Sequence, residues 1–336
     1  MDAKNFETTI AGKEIKLVSI QNRKNLRAAI SNFGARLVNL VYNDVHVIVS
    51  FGKIEDYFVP PVCYHGATIG RYGNRIKNGE FKLHEEIYTL PVNNGPNHLH
   101  GGPNGFHNQV WEITEQKENS ISLRYHSKDG EEGYPGNLDA TVTFTTTEDD
   151  ALEIVYRATT DAATPVNLTN HAYFNLNGGG TAKNHQLQIN ADHYTPVDET
   201  LIPTGIEPVA GTAFDFRSSK PIGRDIDNDE KQIKIGGGYD HNFVLNKEEP
   251  NRLSLAATAI GDKSGIVMET FTEEPGVQLF SANFDNATLP NSYRTSFCLE
   301  TQHFPNSPNE PSFPNTILVA GQTFSSKTIY KFSKSE

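Results

Sequence analysis

Two segments decide how this chain folds: Ala140-Thr-Val-Thr-Phe-Thr145 and Leu152-Glu-Ile-Val-Tyr156. Apolar residues recur at every second position, Ala140, Val142 and Phe144 in the first and Leu152, Ile154 and Tyr156 in the second, with β-branched residues among them. A period of two places one set of side chains on a buried face and the other on a wet one, which is the pattern of a half-buried strand. Ile15-Lys-Leu-Val-Ser-Ile20, Ser120-Ile-Ser-Leu-Arg-Tyr125, Leu253-Ser-Leu-Ala-Ala257 and Gly265-Ile-Val-Met-Glu-Thr270 follow the same rule. Turn residues punctuate them: Asn93-Asn-Gly-Pro96, Lys128-Asp-Gly130, Tyr134-Pro-Gly136, Gly178-Gly-Gly180 and Gly236-Gly-Gly238. Stretches of helical period are scarce, with one turn expected near Glu55 to Phe58. Many short strands at this spacing predict an all-β chain, a large antiparallel β-sandwich with very little helix. No composition shift marks a linker, and Asp225-Ile-Asp-Asn-Asp-Glu-Lys231 reads as a surface loop. Residues 1–336 are expected to form a single domain.

Charge narrows the partners. There are 41 acidic and 29 basic residues, a formal net charge of −12, and no block of like charge. Nucleic acid and anionic membrane surfaces are poor partners for such a chain. No run of 18 apolar residues exists and the N-terminus has no apolar core of a signal, so the expected location is cytoplasmic. Oligomeric state is not legible. The two cysteines, Cys63 and Cys298, fit buried reduced thiols rather than a disulfide framework. Neither a Rossmann fingerprint nor a Walker loop is present, so no nucleotide cofactor is expected.

Several segments carry chemistry. Asn167-Leu-Thr-Asn-His-Ala-Tyr-Phe-Asn-Leu176 sets His171 among polar and aromatic neighbours, and Cys298-Leu-Glu-Thr-Gln-His-Phe-Pro305 sets Glu300 in an apolar-leaning run. A histidine and a carboxylate are a minimal acid–base pair. Alone, His171 also fits a satisfied core residue, whereas an ionised carboxylate among apolar neighbours is costly unless paired. Gly66-Ala-Thr-Ile-Gly-Arg-Tyr-Gly-Asn-Arg-Ile76 offers Asn74 and Arg75 as fixed donors, although an ordinary turn with solvated arginines fits too. His98 and His100, at i and i+2, share a strand face. That pattern admits a metal pair completed by His65 or His107, but one packed histidine and one in a polar cleft is the preferred reading, and no metal is expected. Asp240, beside Tyr239, suits paired hydroxyls with a ring covering C–H surface, and Gln278 has a similar ambivalent status.

These motifs, in this order and over nearly the whole chain, resemble the aldose 1-epimerases, or galactose mutarotases. The resemblance is carried by Gly70-Arg-Tyr-Gly-Asn-Arg-Ile76, His98-Leu-His-Gly-Gly102, Gly133-Tyr-Pro-Gly-Asn137 and Asn167 to Leu176. It continues through Ala191-Asp-His-Tyr-Thr-Pro196, Gly238-Tyr-Asp-His-Asn242, Pro275-Gly-Val-Gln278 and Cys298 to Pro305. It implies a sandwich with an open sugar cleft, a small-molecule aldohexose as partner and no cofactor. It also implies that His171 is the general acid and Glu300 the general base. Asn74, Arg75, His100, Asp240 and Gln278 match positions that hold sugar hydroxyls and the ring oxygen, and Tyr173 one that lies along the sugar. The chain departs from the family pattern at His65, Ala172 and Asn306, of which His65 is expected to alter the cleft wall and hence substrate preference. Alternatives on the same scaffold are a hexose-6-phosphate 1-epimerase, for which Arg71 is the available cation, and a non-catalytic carbohydrate-binding protein. A glycosidase needs paired carboxylates and fits less well.

Overall fold

The computed structural model describes residues 2–284 and 292–335. The Leu138–Thr146 strand buries every second side chain, Leu138, Ala140, Val142, Phe144 and Thr146. It pairs antiparallel with Ala151–Thr160, where Val142 lies opposite Tyr156 and Phe144 opposite Ile154. These two strands sit within a nine-stranded antiparallel sheet that runs from Glu112–Gln116 at one edge, through Thr323–Lys334 in the middle, to Lys220–Pro221 at the other. A five-stranded sheet and a four-stranded sheet add further layers. Side chains of all three meet in one apolar core that includes Ile30, Val142, Phe144, Ile154, Leu279, Leu299 and Tyr330. The architecture is an all-β sandwich, as the alternation predicts. Among the described residues one α-helical turn set occurs, Lys231–Gly236, besides short 3-10 turns such as Ile54–Tyr57 at the expected place.

One predicted strand is broken. Residues 15–20 divide into Lys13–Ile15 and Leu17–Gln21 because the Lys16 N–H leaves the ladder to donate to Asn32 Oδ1 at 2.8 Å.

The five-stranded sheet positions the site. Its order ends with Asp240–Val244, Gly276–Phe280 and Cys298–Gln302. The Cys298–Gln302 strand is buried at every position. Leu299 and Thr301 face the nine-stranded sheet, where Tyr330 donates to the Leu299 carbonyl at 3.1 Å and Thr301 meets Thr328. Period two then turns Cys298, Glu300 and Gln302 to the opposite face. Cross-strand register aligns Glu300 with Gln278 and Asn242, and Cys298 with Phe280 and Asp240. A carboxylate in this sheet is buried because both faces are covered. No helix among the described residues is long and apolar enough to cross a membrane.

Candidate active site

His171 reaches Glu300 through two backbone clasps. Thr169–Asn170 pairs with Thr68–Ile69, and the His171 N–H donates to the Ala67 carbonyl at 3.0 Å while its own carbonyl accepts from Gly66 at 2.8 Å. Three residues on, Phe174 and Phe297 exchange both backbone hydrogen bonds, at 2.7 and 3.0 Å. That bridge lays the histidine segment beside the strand carrying Glu300. His171 Nε2 lies 3.5 Å from Glu300 Oε1, with the side chains 6% and 3% exposed.

The His100 turn closes on the same point. Gly101 has φ +80°, and a Cβ there would sit 1.9 Å from the Gly70 carbonyl oxygen, so only glycine lets the two turns pack. The contact sets His100 Nδ1 to accept from the Asn74 backbone N–H at 3.0 Å. With Nδ1 an acceptor, the neutral imidazole carries its hydrogen on Nε2. His98, by contrast, packs away from the cleft, held by Tyr134 at 2.7 Å and the Pro91 carbonyl at 2.6 Å. Ligand atoms of His100, His171 and Glu300 lie within 4.8 Å of one another. A metal there would need the Nε2 lone pair of His100, which the Asn74 N–H makes unavailable.

A charged relay borders the pair. Arg75 Nε donates to Asn94 Oδ1 at 2.9 Å, and its Nη2 donates to Asp240 Oδ2 at 3.3 Å. Gln278 Nε2 donates to Asp240 Oδ1 at 2.6 Å. The cleft enclosed has a volume of about 390 Å³, within the range of small-molecule sites. Asn74, Arg75, His100, His171, Tyr173, Asp240 and Glu300 all line it. Gln278 stands one layer behind Asp240. Tyr64, Phe280 and Phe284 add apolar surface that the sequence did not assign to the site, and Asn93 and Asn94, read from sequence only as a turn, add polar groups. Phe280 had a signal, since it alternates with Gln278 on one strand.

Three expectations need correction. Tyr239 does not cover a ligand beside Asp240: it is fully buried and donates to the Ala213 carbonyl at 3.0 Å. His65 does not form the cleft wall. It lies behind Tyr173, stacked on that ring at 3.7 Å and 8°. Arg71 is neither solvated nor available to a phosphate. Its guanidinium donates to the carbonyls of Pro135, Gly136, Ser127 and Lys128, so that it staples the loop preceding Leu138–Thr146.

The environment moves the protons. Burial pushes the His171 imidazolium down to about 4, opposed by Asp240. Burial, reinforced by the Asp240 charge, pushes the Glu300 carboxyl well above its usual range, with Arg75 pulling the other way. His171 therefore lies below the near-neutral range of an unperturbed histidine, because almost no water reaches the ring. Both shifts weaken the charged forms.

Comparison with known proteins identifies the family. The family model described as aldose 1-epimerase matches residues 16–331. The chain belongs to the aldose 1-epimerase family, isomerases acting on carbohydrates. It is 37% identical over 341 residues to aldose 1-epimerase of Escherichia coli K12, covering 96% of each chain. It is 40% identical over 322 residues to galactose mutarotase of Sus scrofa, covering 92% of this chain and 91% of the relative. Among solved structures, galactose 1-epimerase from Lactobacillus acidophilus superposes with a TM-score of 0.87 at 31% identity, over 98% of this chain and 97% of that one.

Proposed function

We propose that this protein, acting as one domain, interconverts the α and β anomers of free aldohexoses such as galactose and glucose. The observation that carries the reading is the approach of His171 Nε2 to Glu300 Oε1 in a cleft whose volume of about 390 Å³ admits one pyranose. Opening a hemiacetal ring needs a proton delivered to the ring oxygen and one removed from the anomeric hydroxyl. In this mechanism the His171 imidazolium donates to the ring oxygen and the Glu300 carboxylate takes the hydroxyl proton. Rotation about C1–C2 presents the other aldehyde face, and closure runs both transfers backwards.

The shifted acidities make the charged pair reactive and also make it the minority form in the empty cleft. A buried imidazolium is a stronger acid than a solvated one, and a buried carboxylate a stronger base. From the imidazolium–carboxylate form both changes help ring opening, the uphill half of the reaction, because the transfers return the pair to its neutral form. Closure is downhill for an aldohexose and returns the protons. Between a pH of about 4 and the raised value of Glu300 the pair holds one proton, which in the empty cleft rests on Glu300 and must pass to His171 to form the reactive imidazolium–carboxylate pair. His100, whose Nε2 bears hydrogen, supplies a neutral donor beside the developing charge, and Arg75 and Asp240 are placed to hold hydroxyls. Positioned acid–base groups are each worth roughly 10²–10⁴ in rate.

A phosphorylated hexose fits less well. Arg71 is engaged with carbonyl oxygens and Arg75 with Asp240, which leaves no uncommitted guanidinium lining the cleft among the described residues. Polarimetry on freshly dissolved α-galactose and α-glucose tests the function. Rotation decaying no faster than in buffer rejects it.

A further inference from the structure

The second nitrogen of His171 has its own partner. Cys298 Sγ lies 3.5 Å from Nδ1, although the two residues are 127 apart in sequence. The ring itself is held flat against Tyr173, with centroids 4.9 Å apart and planes at 12°. Stacking fixes the plane of the imidazole but does not choose its tautomer. The choice matters because the proposed cycle sends a proton on and off Nε2, the nitrogen facing Glu300. The ring's permanent hydrogen must then sit on Nδ1. Among the described residues, Cys298 sulfur is the acceptor within reach of that hydrogen.

We propose that Cys298 is the positioning residue of His171: its neutral sulfur accepts from Nδ1–H and so reserves the Nε2 lone pair for the mobile proton. The inference rests on the proton-transfer role given to His171 above. The thiol is fully buried and stays a thiol, since burial and the nearby Glu300 and Asp240 oppose its ionisation. Sulfur is a weak acceptor. It therefore does the orienting work that a carboxylate performs in a serine protease triad without supplying the negative charge that would hold the proton on the ring. A single strand provides both groups: Cys298 and Glu300 are two residues apart on one face, so the register that places the base also places the support of the acid. The opposite arrangement, S–H donating to Nδ1, would leave the hydrogen on Nε2 and no lone pair there to recover the sugar's proton.

The tautomer is read by long-range proton–nitrogen correlation on protein labelled with ¹⁵N-histidine at pH 7, with His171 assigned from its loss in His171→Gln. The expected spectrum has Nδ1 protonated and Nε2 unprotonated. Cys298→Ala is expected to mix the tautomers and lower kcat roughly threefold to tenfold, the scale of one lost hydrogen bond, with KM within about twofold. Cys298→Ser, whose oxygen also accepts, is expected to restore both. A wild-type spectrum with hydrogen on Nε2 overturns the proposal, and so does a Cys298→Ala protein with unchanged tautomer and kcat. Should that variant fail to fold, the wild-type and Cys298→Ser spectra decide alone. A protein that shows the expected tautomer yet mutarotates no sugar leaves this inference standing and rejects the functional reading instead.

Discussion

Glu300→Gln separates chemistry from binding and from folding. The amide has nearly the volume of the carboxyl, so no cavity opens in a strand that is buried throughout. It keeps an oxygen for hydroxyl contacts but cannot take a proton. Losing one positioned base costs roughly 10²–10⁴ in kcat, or about 3–5 kcal/mol at 1.36 kcal/mol per decade. Stability moves in the other direction. The raised carboxyl value shows that its ionised form is disfavoured by burial and by Asp240, and a neutral amide removes that conflict. The melting temperature is therefore expected to hold or rise, a common trade between activity and stability. Polarimetry at saturating sugar gives kcat, and a thermal melt on the same sample gives Tm. A variant within about fivefold of the parent kcat refutes the argument. So does a variant whose KM rises while kcat is kept, since Glu300 would then only bind.

Other consequences follow from the same contacts. Stability is expected to fall as pH drops from about 6.5 towards 4. His98, His171, His185 and His241 are lowered by burial to about 4, and His107 to about 3, so each is neutral in the fold but charges in the unfolded chain as acid is added. His65 and His100 are lowered by burial as well, which makes seven, while His303, raised beside Glu274, and Glu300, raised by burial, work against the trend. Urea midpoints at pH 7.5 and pH 5 measure the effect, and equal midpoints would contradict it. Arg71→Ala should lower stability by about 3–5 kcal/mol, the cost of stranding buried partners, and leave the preference for glucose over glucose 6-phosphate unchanged in the folded fraction. A selective rise in KM for the phosphate ester would restore a binding role to Arg71. Gln278→Ala frees Asp240 on one side and should raise KM about threefold to tenfold with a smaller change in kcat. An equal fall in kcat at constant KM would mean that Gln278 acts on the reaction itself.

The outer layers of the fold were legible because water marks them. Leu138–Thr146 alternates cleanly since one face is wet, and the sandwich could be read from that strand and its neighbours. Cys298–Gln302 was harder, being covered on both faces and carrying polar residues inside. The site emerged mainly from the order of its motifs, since no local spacing ties His171 to Glu300. What joins them is the Phe174–Phe297 backbone bridge, which no pattern announces. Arg71 and Arg75 share one turn, yet part company: one is claimed by loop carbonyls and the other by Asn94 and Asp240. Cys298 was readable in principle, since period two puts it on the face of Glu300. Tyr64 and Phe284 had no comparable signal and entered the cleft only through the fold.

A crystal structure with galactose bound decides whether His171 and Glu300 act together on one sugar. One pyranose is expected to span the pair, its ring oxygen within hydrogen-bonding distance of His171 Nε2 and its anomeric hydroxyl within the same reach of Glu300. A sugar held elsewhere, or one lying in the cleft with C1 and the ring oxygen turned away from both side chains, would contradict it.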